Sequence, residues 1–250
     1  MRHRFYGTAV LLTLLFLATR LFQIHAFPIF IDEAYHIHMA ERIVGQFSPL
    51  DMLADGRQFT AYWLGLFQVW QGDPLWIARA ATLLASVAGF WAFLTIARQT
   101  VGLHGVVIVG FLLIFSPYHY FFERLALADT VAASLTICAT AVAFRTQKRL
   151  RAWDAILTGL LVFGAAGAKV NNLVFLPIPL AALVALRAPQ RSWRQRINWG
   201  LLALLVGGGL LGAFMLVARL RGLAFYEGMI NRGVGLGNSS LLTLIVTNNT

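Results

Sequence analysis

The sequence predicts an all-helical protein that crosses a membrane several times. Hydrophobic residues make up 59% of its 250 residues and charged residues only 12%, about half the charged share of a typical soluble domain. Several apolar runs reach the roughly 18 residues that a helix needs to cross a bilayer. A membrane-spanning backbone must form helices or a closed barrel, and no strand-like alternation accompanies these runs. We therefore expect an all-α polytopic membrane protein.

The positions of the basic residues indicate membrane topology and exclude a nucleic-acid partner. The net charge is +10, but the basic residues cluster between apolar runs, as residues that orient membrane helices do. The clusters are Arg2 with Arg4, residues 145–151 and residues 187–196. The positive-inside rule places all three in the cytoplasm. Cys138 is the single cysteine, so an intrachain disulfide is excluded.

Eight apolar segments follow one another along the chain. The first resembles a signal peptide but lacks a small-residue cleavage site, so we interpret it as an uncleaved first span. The segments lie at residues 5–24, 58–71, 75–97, 105–122, 126–144, 152–168, 170–186 and 197–218.

The number of crossings must be reconciled with the basic clusters. If all eight segments crossed, the basic loop at 145–151 would lie outside, against the positive-inside rule. The segment at 58–71 has about 14 residues and is rich in aromatics, which is typical of a helix at the membrane surface. Its exclusion leaves about seven spans, with the N-terminus inside and residue 250 outside.

This topology places nine of the ten acidic residues at or near the outer face. Acidic residues contribute little to orientation, so their asymmetry predicts a polar site on that face. Neither a repeat nor a low-complexity linker divides the chain. We expect one transmembrane module over residues 1–250, with a first outer loop at 25–74 that carries amphipathic helices and a second, truncated outer loop at 220–250.

Asp32 and Glu33 open an amphipathic stretch, "DEAYHIHMAERIVG". Acidic residues near a helix N-terminus are stabilised by the helix dipole, so both could simply cap this helix. Asp32 also lies where the first span should leave the lipid, which favours a functional role. His36 and His38 lie two residues apart on different faces of a helix, and this spacing is only a weak sign of a metal site.

Further charged residues lie at the outer ends of other predicted spans. Arg124 can be an anchor that reaches the lipid headgroups. The side chain of Asp129 is too short for that, so this acid needs a charged partner or a functional role. Lys169 lies at the outer end of a span, against the basic trend, and can be an anchor or hold a phosphate or carboxylate. Arg20 and Arg79 lie in or at the edge of spans, so we expect a structural ion pair for each.

Four blocks of the sequence, in this order, resemble the GT-C class of membrane glycosyltransferases. They are "IDEAYHIHMAERIV", "DGRQFTAYWLGLFQVWQGDPLWIARAATLL", "SPYHYFFERLALADTVAASL" and "GAAGAKVNNLVFLPIPLAAL". Within that class the blocks are most similar to the protein O-mannosyltransferases and the aminoarabinose transferases. The resemblance covers roughly residues 15–235, and its most specific element is the Asp-Glu pair in the first outer loop.

The resemblance implies transfer of a sugar from a polyprenyl-phosphate carrier at the outer face of the cell's inner or plasma membrane. It implies that Asp32 is the catalytic base, with Glu33 in the same motif, and that Asp129 is a second acid of the site. Lys169 and Arg57 would bind the donor phosphate. The partners would be this lipid donor, membrane lipids and an acceptor that the sequence does not specify, and no cofactor or metal is indicated.

The sequence departs from the family's pattern around Arg57. Arg57 replaces a lysine that precedes two prolines and an aromatic block, and Gln58 and Phe59 stand where the prolines would be. Of the aromatic block Tyr62 and Trp63 persist. Members of the family are usually longer, so we expect this chain to be a fragment. Additional candidates for the site are Arg124, Tyr62 and, in the second outer loop, Glu227.

The alternative function is that of a transporter or a flippase for a lipid carrier. Such proteins place charges along a pathway at the membrane midplane and contain inverted repeats with broken helices. Here the charges gather at one face, which favours the glycosyltransferase. A purely structural membrane subunit would leave the outward-facing acids unexplained.

Overall fold

The computed structural model describes residues 2–46, 57–70, 72–149, 151–175, 177–185 and 192–220. Within these ranges every regular element is a helix. Glu227 and the rest of the second outer loop lie outside the described residues, as do residues 47–56 of the first. The all-helical class predicted from the sequence is confirmed for the described part of the chain.

Ten α-helices and one 3₁₀ helix are described. They are α1 (Arg2–Leu21), α2 (Ile31–Gln46), α3 (Gln58–Gln68), α4 (Pro74–Thr100), α5 (Leu103–Phe115), α6 (Pro117–Phe122), α7 (Ala128–Arg149), α8 (Ala152–Ala168), the 3₁₀ helix (Val170–Phe175), α9 (Pro177–Ala185) and α10 (Trp193–Leu220).

Four of the described helices, α1, α4, α7 and α10, are long and apolar enough to cross a membrane. Three shorter apolar helical stretches lie at Leu103–Phe115, Ala152–Ala168 and Val170–Ala182. The helix α3 has 11 residues and is therefore about 16 Å long, roughly half the thickness of the hydrocarbon core. The findings support a helical membrane protein, and the number of seven spans stays a prediction.

Proline residues divide or begin several of these helices. The apolar segment predicted at 105–122 is not one helix, because Pro117 follows Ser116, which is extended, and a residue before proline disfavours the helical conformation. The Ser116 side chain then caps α6 by accepting a hydrogen bond from the His119 N–H. At α4, Asp73 caps the helix by accepting from the Leu75 N–H at 3.0 Å, and Pro74 is its first residue.

The helices α4 and α7 pack closely and run in the same direction. Near the start of α4, Ala78 and Ala81 cluster with Ala126, just before α7. Further along α4, Gly89 faces Ser134 of α7 so closely that a Cβ on the glycine would lie 2.9 Å from the serine Oγ. Only glycine permits this approach of the two helices, which form one wall of the cavity described below.

Two buried arginines form the structural ion pairs that the sequence predicts. Arg20 of α1 binds Glu123 through Nε at 3.0 Å and a terminal nitrogen at 2.9 Å. Arg79 of α4 binds Glu33 of α2 through two nitrogens, each at 2.8 Å. Each guanidinium also donates to backbone carbonyls that end or follow another helix. Each arginine therefore connects its own helix to other helices and loops through an ion pair and backbone hydrogen bonds. The prediction of a structural ion pair for both is confirmed.

Candidate functional site

Backbone contacts of Ala126 bring the first turns of α2 against the segment that leads into α7. The Ala126 N–H donates to Glu33 Oε1 at 2.8 Å. Its carbonyl oxygen lies 3.0 Å from His36 Nδ1. Asp32 and Asp129, each in the first turn of its helix, are thereby carried by elements that meet at one end of the bundle.

The start of α3 is held against the end of α8 in a similar way. The Thr60 hydroxyl donates to the Ala168 carbonyl at 2.9 Å. The Phe59 ring packs on Gly167 with no room for a Cβ. Because Arg57 immediately precedes α3 and Lys169 immediately follows α8, these contacts bring both predicted phosphate-binding residues to the same end of the bundle.

Asp129 and Lys169 form an ion pair. The Lys169 Nζ lies 2.5 Å from Asp129 Oδ1, with the lysine side chain 24% and the aspartate side chain 50% exposed. Lys169 is extended, so that it leaves the axis of α8. The sequence predicts a partner for Asp129 and a carboxylate or phosphate for Lys169, and the carboxylate partner is confirmed.

Arg57 lies between Asp32 and His36. Its terminal nitrogen is 3.9 Å from Asp32 Oδ1 and 3.3 Å from His36 Nε2. Since His36 Nδ1 faces a carbonyl oxygen, Nδ1 must carry the proton and Nε2 is the acceptor. The histidine therefore positions the arginine beside an exposed carboxylate.

The structure separates the two adjacent acids of the first outer loop. Asp32 is exposed, whereas Glu33 is fully buried and paired with Arg79. Both Glu33 oxygens are occupied, because Oε1 also accepts from Ala126 N–H and Oε2 from Phe30 N–H. This geometry gives Glu33 a structural explanation and leaves Asp32 as the accessible acid of the pair.

The additional candidates Arg124 and Tyr62 are placed differently. Arg124 is buried, donates to the carbonyls of Phe22 and Gln23, and lies over the Phe27 and Tyr120 rings. It locks the turn after α1 from inside the protein and does not reach outward as an anchor would. Tyr62 packs beside Phe59 on α3, and burial raises the pKa of its hydroxyl, so the hydroxyl keeps its proton at neutral pH.

A cavity of about 540 Å³ opens beside the Asp129–Lys169 pair. Its walls come from α4, α5, α6, α7, Lys169 with the 3₁₀ helix that follows it, and α9. About half of the lining side chains are apolar, but they supply most of the lining surface, among them Phe90, Phe93, Leu113, Phe122, Ile137, Phe175 and Ile178. The polar lining groups include the Asp129–Lys169 pair, His119 and Glu123, and Asn172, whose amide donates to Thr136 Oγ1 at 2.7 Å; several serine and threonine hydroxyls and Asn171 also line the cavity. Asp32 and Arg57 are not part of this lining.

The described residues thus combine a cavity with a largely apolar surface and two cations, Lys169 and Arg57, that each lie near a half-exposed carboxylate. Such a cavity suits a ligand with an apolar chain and an anionic head. Among the residues that the structure describes, no three His, Cys, Asp or Glu side chains group closely enough to hold a metal ion.

The pairs His119–Glu123 and His36–Arg57 are among the contacts that were not predicted from the sequence. His119 and Glu123 are four residues apart, a spacing that places side chains on one helix face. This pair could therefore have been predicted from the sequence. The contact between His36 and Arg57 spans 21 residues and no local pattern reveals it.

Comparisons with protein-family models, with curated proteins and with solved structures gave no match.

Proposed function

We propose that this protein transfers a glycosyl group from a polyprenyl-phosphate-linked donor to an acceptor at the outer face of the membrane. The observation that carries the proposal is the Asp129–Lys169 ion pair in the wall of a largely apolar cavity. A donor of this class combines a long apolar chain with a phosphate, and the cavity offers a matching surface for each part.

Lys169 is proposed to bind the donor phosphate. Its present partner is a single carboxylate oxygen of Asp129, whose side chain is half exposed. A phosphate presents several charged oxygens, and charge-assisted hydrogen bonds to them are strong. On donor binding Lys169 would exchange or share its carboxylate partner, and Arg57 would contribute a second positive charge. The apolar chain would lie along Phe90, Phe93 and their neighbours.

Asp32 is proposed to be the general base. The acceptor hydroxyl oxygen attacks the anomeric carbon while its proton passes to the Asp32 carboxylate. The bond between that carbon and the phosphate oxygen breaks, and the polyprenyl phosphate leaves with the electron pair, its charge offset by Lys169 and Arg57. If the acceptor is itself a phosphate, no proton needs removal and Asp32 only orients it.

The proposed topology has seven spans with the N-terminus in the cytoplasm. The four long helices and the three shorter apolar stretches would supply these spans, and α2 and α3 would lie at the outer surface. The site residues would then face the outside, as expected for a multi-pass enzyme whose donor is presented on that face.

Transfer of radiolabelled sugar from a panel of polyprenyl-phosphate donors tests the proposal. The assay uses membranes that contain the wild-type protein, Asp32→Asn or Glu41→Gln, the last being a matched exposed acid on the same helix. We expect transfer with at least one donor, loss with Asp32→Asn and normal transfer with Glu41→Gln. Absence of transfer with every donor, or equal activity of all three proteins, would contradict the proposal.

A second candidate function, movement of a lipid carrier across the membrane, is favoured by one observation. The chain unwinds after α8, and the 3₁₀ helix places Asn172 in a buried contact with Thr136; interrupted helices are typical of transporters. Movement of a labelled lipid carrier in proteoliposomes without any glycosyl transfer would favour this function over the first.

A further inference from the structure

We propose that His119 is a second headgroup-binding residue of the cavity, which donates a hydrogen bond from Nε2 to the anionic head of a single-chain lipid phosphate. This inference rests on the proposed function for the class of ligand. It adds a residue on the side of the cavity formed by α6, in a sequence block to which the resemblance assigns no phosphate-binding residue.

The carboxylate behind His119 is fixed in place. Glu123 Oε2 accepts two hydrogen bonds from Arg20, at 3.0 and 2.9 Å. Arg20 is fully buried, donates to the carbonyls of Leu113 and Ile114, and lies over the Phe16 ring. Neither Glu123 nor Arg20 can therefore move without breaking several buried contacts.

This fixed carboxylate orients the imidazole. The other oxygen of Glu123, Oε1, lies 3.1 Å from His119 Nδ1, and the imidazole packs roughly perpendicular to the Phe93 ring. Nδ1 is therefore the donor to Glu123, while Nε2 makes no hydrogen bond within the part of the chain that the structure describes. A carboxylate that holds one imidazole nitrogen fixes the orientation and chemistry of the other.

The local charge favours an anion once the imidazole is protonated. Arg20 offsets the charge of Glu123, so an imidazolium at His119 adds a net positive charge to the cavity wall, and both of its nitrogens then donate. Lys169 lines the same cavity with its charge offset by Asp129. The wall of the cavity thus offers a ligand phosphate two cationic donors, one from α6 and one from the residue after α8.

The size of the cavity suits a single-chain ligand. Its volume of about 540 Å³ equals the volume that about 18 water molecules occupy in the liquid. Farnesyl phosphate, with an isoprenoid chain and one phosphate, is a suitable probe, and farnesol supplies the same chain without the charge. A comparison of the two separates contacts of the head from contacts of the chain.

The experiment measures the dissociation constants of both probes for protein in phosphatidylcholine nanodiscs at about pH 6. His119→Gln should weaken binding of farnesyl phosphate by about tenfold, the lower range for a lost charge-assisted contact, and leave farnesol binding within about twofold. His119→Arg keeps a positive charge and should restore much of the loss. His25→Gln is the control, since His25 is an exposed histidine paired with Asp73.

A purely structural role for His119 gives a different result. If the histidine only ties α6 to Glu123, His119→Gln should weaken both probes equally and His119→Arg should not restore binding; that outcome would overturn the inference. Unchanged binding of farnesyl phosphate to His119→Gln would overturn it as well.

The variant Lys169→Met tests the proposed function separately in the same assay. If Lys169→Met selectively weakens farnesyl phosphate and His119→Gln does not, the present inference fails and the proposed donor site stands. If the wild-type protein does not prefer farnesyl phosphate to farnesol, the donor assignment fails and the inference with it. Thermal unfolding of each variant in nanodiscs establishes that the compared proteins are folded.

Discussion

Glu33→Gln should destabilise the protein much more than Asp32→Asn, although the two acids are adjacent. Glu33 is fully buried with Arg79, and the two side chains share hydrogen bonds of 2.8 Å at both carboxylate oxygens. A glutamine replaces one of these oxygens with an NH₂ group, which faces the Arg79 donor and the Phe30 N–H. The charge of Arg79 then stays buried without a counter-ion.

The expected cost follows from that geometry. Removal of one partner from a buried ion pair costs about 3–5 kcal/mol, because the other charge is left uncompensated. Typical domains have only about 5–15 kcal/mol of stability. At about 2–4 °C per kcal/mol for a chain of this size, the melting temperature should fall by roughly 6–20 °C. Asp32 is exposed, so Asp32→Asn should change stability by less than about 1 kcal/mol.

Thermal unfolding of purified protein in one detergent, followed by tryptophan fluorescence, measures these shifts. Arg79→Met should be as destabilising as Glu33→Gln, and the double variant should lose less than the sum of the two, because the residues share one interaction. A melting temperature of Glu33→Gln within about 2 °C of wild type would refute the buried ion pair as a source of stability. Additive losses in the double variant would refute the coupling between the two residues.

Three further predictions concern the site and its topology. Asp32→Asn should lower turnover at saturating donor by about 10²–10⁴-fold at unchanged melting temperature; near-normal turnover would remove the base assignment. Lys169→Met should weaken donor binding by roughly ten- to over a hundredfold, and acceptor binding much less, as titrations of each substrate will measure; unchanged donor affinity would argue against a phosphate contact. Gly56→Cys and Gly72→Cys, each in a Cys138→Ser background, should both react with an impermeant thiol reagent from outside, because α3 is too short to cross; labelling from opposite sides would exclude the seven-span topology.

The positions of the helices were largely predictable from the sequence. Long apolar runs between basic clusters predict α1, α4, α7 and α10. Each run can be recognised by itself, because its own length and hydrophobicity decide whether it favours the lipid. The break at Pro117 was missed, since the apolar run from 105 to 122 continues through it. Hydropathy does not register the backbone N–H that proline lacks.

The candidate site was predictable only in part. The need of Asp129 for a partner is visible in the sequence, because a short acid at the end of a span is costly when alone. That partner is Lys169, which lies 40 residues away in the sequence. Its identity could not be predicted, because it depends on how α7 and α8 pack. The burial of Glu33 could not be inferred either, because "DE" at a helix start looks the same whether its second acid faces solvent or an arginine of another helix.

The pairing of every cation in the site has a consequence for how a ligand binds. Lys169 is offset by Asp129, and Arg57 lies next to Asp32 and His36. These partners keep the two long side chains in place before any ligand arrives, which lowers the entropy lost on binding. A phosphate that draws Lys169 away from Asp129 also uncovers a carboxylate beside the cavity, and one that draws Arg57 away frees Asp32. Arrival of the donor would therefore release Asp32, the base of the proposed transfer, from an arginine that offsets its negative charge until then.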